Sequence, residues 1–219
     1  MYARLLALVG MLYVSVSTGQ AQLLGTGEVS VYLKAHGDHS PSAMSEMKAE
    51  MDKLMRSVGV TLHWKDSVKD LGSTHAELVV LELRGTCDAP RRVPTGPRLQ
   101  NLTSLASTAV SDGRILPFSW LDCAALSRFI GGSIADLPAP QRDFTYGRAM
   151  ARLAAHEFYH ILGRQSEHAQ TGIAKAQFAE VDLLTDHLEF EETVIARDRR
   201  SHKVEQIAPG VEIDLGNEK

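Results

Sequence analysis

The sequence has little cysteine: only Cys87 and Cys123 among 219 residues, too few and too far apart for a cysteine-held zinc site. The pair either closes one disulfide or remains as two buried thiols. Basic charge is not in excess, since 23 Lys and Arg stand against 27 Asp and Glu, a net charge of -4. With no long basic run and no aromatic residues interleaved with basic ones, nucleic acid is excluded as an expected partner. Beyond the N-terminus no apolar stretch is long enough to cross a bilayer, so no stable membrane span is expected. Internal repeats and low-complexity tracts are absent as well. At 44% hydrophobic and 23% charged, what is present is an ordinary globular composition, long enough for one domain with a real core.

The N-terminus stands apart. Arg4 precedes an apolar stretch from Leu5 to Val16, followed by Ser17-Thr18-Gly19-Gln20-Ala21. A basic start, a short apolar run and a small residue at the end describe a secretory signal peptide over residues 1–21. An N-terminal anchor or a buried strand is the other reading. Cleavage near Ala21 leaves residues 22–219 as a single domain, secreted or periplasmic.

Local patterns then order the elements. Glu28 to Ala35 alternates apolar and polar residues as a strand does. Ser40-Pro41 opens a helix whose Met44, Met47, Met51, Leu54, Met55 and Val58 form one apolar face, and Gly59 stops it. Helical spacing assigns that methionine stripe to core packing rather than to a soft metal site. Val60 to Trp64 and Ala76 to Leu83 read as strands, the second with the apolar centre of an interior strand. Strand, helix and strand in that order suggest a βαβ unit. Asp88 to Pro97, with three prolines, reads as an exposed loop. Leu105 to Val110 and Ile115 to Trp120 flank a hairpin turn at Ser111-Asp112-Gly113-Arg114. Gly131-Gly132, Pro138 and Pro140 read as chain breaks. A long helix is expected from about Asp143 to Leu162, closed by Gly163, and another from about Phe178 to Arg197. His36, His39, His63 and His75 lie on loops or strand edges at no ligand spacing, and no chemistry is assigned to them.

The long helix carries His156-Glu157-Phe158-Tyr159-His160. Side chains four apart on a helix stand one above the other, roughly 5–6 Å between Cβ atoms, so two imidazoles approach one metal ion from the same side. Zn2+ is the expected ion. Glu157 is rotated off that face by about one hundred degrees, flanking the metal without binding it. There its carboxylate takes the proton of a water that zinc has acidified, which is the chemistry of HExxH.

With Gly163 added, the segment resembles the metzincin group of zinc metalloproteases, whose motif is HExxHxxGxxH. Ser166 stands where that motif has its third histidine, and His168 follows two residues later. Five links from Gly163 reach at most about 17 Å, enough to bring His168 back to the helix. The chain is also similar to secreted bacterial proteins with this wider spacing and a following Gly-Ile, here Gly172-Ile173. Glu180, 20 residues after His160, is the rival third ligand, since its spacing is similar to that of the gluzincin group. An imidazole close to the motif favours His168. Asp182, Asp186 and His187 are second-shell partners or surface. No methionine follows Met150, so the metzincin methionine turn must be replaced, for instance near Ile173-Ala174.

The resemblance implies an α+β, zincin-like fold, with a mixed β-sheet packed against an active-site helix and a C-terminal helix. It implies an edge strand, Leu105–Val110 or Ile115–Trp120, that aligns a peptide or protein substrate, and Tyr146 or Tyr159 as a partner for the oxyanion. The expected function is a secreted zinc metallopeptidase. The alternative is a non-catalytic exported module that binds a metal or a protein, against which the intact Glu157 argues.

Overall fold

The computed structural model describes residues 27–65, 77–92 and 104–191. The leader segment 1–21, His75, residues 93–97 of the proline-rich loop and residues 192–197 of the expected last helix lie outside the described residues.

The fold is α+β, built on a mixed sheet of five strands. Strand β1 (Gly27–Ala35) leads into helix α1 (Pro41–Ser57), which returns the chain to β2 (Val60–Lys65). Ser40 caps α1 by accepting from the Ala43 N–H, and Pro41 enters where no intrahelical donor is needed. Strands β3 (Glu77–Arg84), β4 (Ala106–Ser111) and β5 (Arg114–Asp122) follow. The order across the sheet is β2-β1-β3-β5-β4. β1 runs parallel to β2 and β3, β3 parallel to β5, and β4 antiparallel to β5. The βαβ reading therefore holds for β1, α1 and β2, and β3 is interior. Asp112 and Gly113, both at positive φ, make the tight turn between β4 and β5.

One face of the sheet is dry. Val29 and Val31 of β1, Val79, Leu81 and Leu83 of β3, and Leu121 of β5 are fully buried on it. Helix α1 brings Met47, Met51, Leu54 and Met55 to this core, so its methionine stripe is indeed packing. Each such side chain contributes about 1.5–3 kcal/mol by leaving water. Against α1 lies helix α3 (Ala139–Gly163), which also covers β5 and β4.

Three expectations about helices are corrected. Helix α2 (Cys123–Ile134) occupies a stretch read as broken at Gly131-Gly132, because Asp122 caps its start by accepting from the Ala125 N–H at 2.8 Å. Helix α3 begins at Ala139 rather than near Asp143, with Pro140 in its first turn, where its missing N–H costs no bond. Helix α4 spans only Glu180–Leu184, and residues 185–191 are not helical. Its carbonyls are taken instead by α3: the Arg152 guanidinium donates to the Asp182 and Leu183 oxygens at 3.1 and 2.8 Å, and Arg148 to those of Thr185 and Asp186.

Cys87, just beyond β3, and Cys123, at the start of α2, form a disulfide with Cα atoms 5.0 Å apart. Of the loop after it, Arg91 and Arg92 are exposed as expected, but Ala89 is buried.

Candidate metal centre

Helix α3 delivers His156, Glu157 and His160 to one end of the dry face, all three largely buried. The Nδ1 of His156 lies 2.8 Å from the Ile173 carbonyl oxygen, and the Nδ1 of His160 lies 2.8 Å from that of Gln165. A carbonyl only accepts, so each ring carries its proton on Nδ1. Both Nε2 atoms are then bare lone pairs, and they face each other at 3.1 Å.

The chain after α3 supplies the third imidazole. Arg164, at φ 49°, makes the left-handed turn that the motif's glycine was expected to make; Gly163 is simply the last helical residue. The Gln165 N–H returns to the His160 carbonyl at 3.2 Å, fixing the exit. His168 then stacks on His156, with ring centroids 5.3 Å apart and planes 17° from parallel, and meets His160 edge-on at 4.8 Å. One nitrogen from each of the three rings lies within 4.8 Å of the others. The chain bends again at Gly172, and Ile173 and Ala174 lie fully buried beneath His156, the region expected to replace the methionine turn.

This donor set fits a divalent cation. Three imidazoles converge, and two of them, His156 and His160, turn bare Nε2 lone pairs toward each other. Burial holds the His156 pKa down to about 4, more than the Ile173 bond and the neighbouring rings alter it, and it lowers that of His160 too. Both rings are therefore neutral at neutral pH, as metal ligands must be.

Glu157 stands beside the cluster, not in it. The Thr108 hydroxyl donates to its Oε2 at 2.6 Å. Burial pushes its carboxyl up to about 7, and the Thr108 bond partly offsets this. An open cleft of about 280 Å³ exposes His156, Glu157, His160 and His168 together, walled by Ala106, Thr108, Val110, Ile115 and Ser166. A buried carboxyl and the three imidazoles thus open on the same space.

Several expected roles are not met. Glu180 does not join the imidazoles; its Oε1 accepts from the Ser133 hydroxyl at 2.5 Å. Asp182 pairs with Lys175 and accepts from the Ala179 N–H, Asp186 pairs with Arg148, and His187 is exposed. None of the three touches His156, His160 or His168 among the described contacts. Tyr146 is fully buried, with its hydroxyl donating to the Cys123 carbonyl at 3.0 Å, so it points into α2 and away from the cleft. Tyr159 is also buried, its ring packed beside those of His160 and Phe190. β5 is an interior strand, which leaves β4 as the sheet edge next to the site. Thr108 was not foreseen: it lies 49 residues before Glu157, and a threonine in a short strand carries no signal of its own.

Compared with protein-family models, with curated proteins and with solved structures, the chain finds no match in any of the three.

Proposed function

We propose that this chain is an exported zinc-dependent metallopeptidase on a zincin-like frame, similar to the metzincins. The single observation that carries the reading is the opening of Glu157 and three converging imidazoles onto one cleft. His156, His160 and His168 would hold the ion. Zinc nitrogens at about 2.0–2.1 Å in a tetrahedral shell stand about 3.3 Å apart, close to the 3.1 Å between the two Nε2 atoms. The antiparallel edge strand beside the active helix supports the zincin likeness. A disulfide, which persists in oxidising compartments, supports export.

His156, His160 and His168 would hold the ion, and zinc, when bound, would supply Lewis acidity to water and to a carbonyl. The chain's own residues do the rest. Glu157 accepts a proton from water as the water oxygen attacks the carbonyl carbon of a peptide bond. The same carboxyl then gives that proton to the amide nitrogen, and the C–N bond breaks. The carbonyls of Ile173 and Gln165 keep the two rings in the tautomer that leaves Nε2 free. A module that only binds metal leaves a buried carboxyl beside the ligands without a use.

The test compares the wild type with Glu157→Gln. Both should hold one zinc per chain by elemental analysis, and only the wild type should cleave a quenched-fluorescence peptide library, with the variant at least a hundredfold slower. Zinc-loaded wild type that cleaves nothing in the library would overturn the reading.

A further inference from the structure

The hydroxyl proton of Thr108 is used on Glu157, at 2.6 Å from Oε2, while the Glu157 main-chain oxygen lies 3.3 Å from the same hydroxyl. This residue belongs to β4, not to the helix, and ordinary strand alternation from Ala106, which pairs with the buried Leu121, sets its aim. β4 pairs Thr108 with Ser119 and Val110 with Ile115, so Ala109 alone faces Leu116, Pro117 and Phe118 of β5. Pro117 has no N–H to donate to a ladder, and it sits inside this bulge. The extra residues are on β5, so it is β5 that bends here. Thr108 keeps its register before that bulge and, cross-strand from the buried Ser119, lies on the sheet face that α3 covers.

We propose that Thr108 is a positioning residue for the general base: its hydroxyl holds Glu157 by Oε2 and leaves Oε1 to meet the water. The inference rests on the metallopeptidase reading for its catalytic consequence, but not for its geometry. A carboxylate free to spin about its terminal torsion spreads over a broad range of orientations. One oxygen held by a donor from a different element gives the other a defined direction. Misplacement of a reacting group by about 1 Å costs on the order of a hundredfold in rate, so the tether acts on turnover rather than on binding. It also joins β4 to α3, so the strand that walls the cleft and the base move as one unit.

Three single variants and one double variant of the zinc-loaded full chain test this, with fluorescein-labelled casein as the substrate. Thr108→Val keeps the shape and removes the hydroxyl; kcat should fall tenfold to a hundredfold, with zinc content unchanged and KM within about twofold. Thr108→Ser should restore most of the rate. Ser119→Ala removes a buried hydroxyl that makes no bond and should leave the rate unchanged. In a Glu157→Gln background, Thr108→Val should change the residual rate less than twofold, a coupling that a merely structural role does not give. Crystal structures of the zinc-loaded wild type and Thr108→Val provide a readout independent of turnover: the Glu157 carboxyl should keep one orientation in the first and lose it in the second. An unmoved carboxyl in Thr108→Val, or an unchanged kcat, overturns the proposal. A wild type that holds zinc but cleaves no casein counts against the peptidase reading, and the crystal structures still decide the positioning.

Discussion

The Nε2 atoms of His156 and His160 lie 3.1 Å apart, while each ring's Nδ1 is engaged by a main-chain carbonyl. The fold brings together three imidazoles that are far apart in the unfolded chain, so a divalent cation held by them would favour the folded state. Zinc should therefore stabilise the fold by mass action, about 2.7 kcal/mol at a hundred times its dissociation constant. For a chain of this size that is a rise in melting temperature of roughly 5–10 °C. Differential scanning fluorimetry with a chelator, and then with zinc restored, measures it. His156→Ala and His160→Ala should each abolish the response, and a wild type indifferent to zinc would remove the basis for the metal centre.

The choice of third ligand gives a second expectation. His168 reaches the other two rings from an exposed turn, whereas Glu180 is bound to Ser133. His168→Ala should lower zinc affinity by at least a hundredfold in competition with a chromophoric chelator. Glu180→Ala should leave it within about threefold, because the carboxylate it removes belongs to a contact between α4 and α2. The reverse pattern would reassign the site to a two-histidine, one-carboxylate set.

A pH dependence follows from the burial of Glu157. Burial raises its carboxyl from the ordinary 4.5 to about 7, so the metal-free fold favours the neutral acid. The stability this group contributes is complete below about 4.5, where the unfolded chain is also protonated, and is lost as pH rises through about 7. Glutamine cannot ionise. Metal-free Glu157→Gln should thus be more stable than the wild type at pH 8, by up to ~3 kcal/mol, with the gain vanishing toward pH 4.5. His156 and His160, lowered by burial, give the opposite slope, with stability present above 6.5 and lost as pH falls. Both proteins carry them, so the difference isolates residue 157. Urea unfolding in chelator at a series of pH values tests it, and a difference flat with pH would contradict it.

These features differ in how far the chain announces them. The α1 face, the β4–β5 turn and the His156–His160 pair are local: each follows from spacing within a turn or two, which sequence order preserves. Helix α2 was hidden because Gly131-Gly132 reads as a break when viewed locally, while its cap at Asp122 and the disulfide at Cys123 hold it from outside. Beyond Leu184, residues 185–191 leave the helix and the carbonyls of Thr185 and Asp186 meet Arg148 of α3, a contact that no local pattern announces. Thr108 was illegible for the same kind of reason, since its meaning lies in a contact with a residue far along the chain. In the turn after α3, Arg164 took the left-handed position although Gly163 stood beside it, which no propensity foretells.

The support beneath His156 makes the last expectation the most discriminating. Gly172 has φ 71°, and a Cβ there would collide with the Glu189 carbonyl oxygen. That oxygen accepts from the Ile173 N–H at 2.9 Å, and the Ile173 carbonyl orients His156. Gly172→Ala should therefore do two things: destabilise the chain by about 1–3 kcal/mol through backbone strain, and weaken zinc by about tenfold to a hundredfold by displacing the Ile173 carbonyl from the His156 ring. Opening the Cys87–Cys123 bridge by a double Ser substitution supplies the contrast. It should cost about 2–4 kcal/mol through the freed unfolded chain, yet leave zinc affinity of the folded protein unchanged, because neither cysteine touches the imidazoles or their carbonyls. Chelator competition below the melting temperature reads affinity apart from stability. If the two variants lose zinc equally, the effect of Gly172→Ala is global loosening, and the Ile173 carbonyl has no particular hold on the metal.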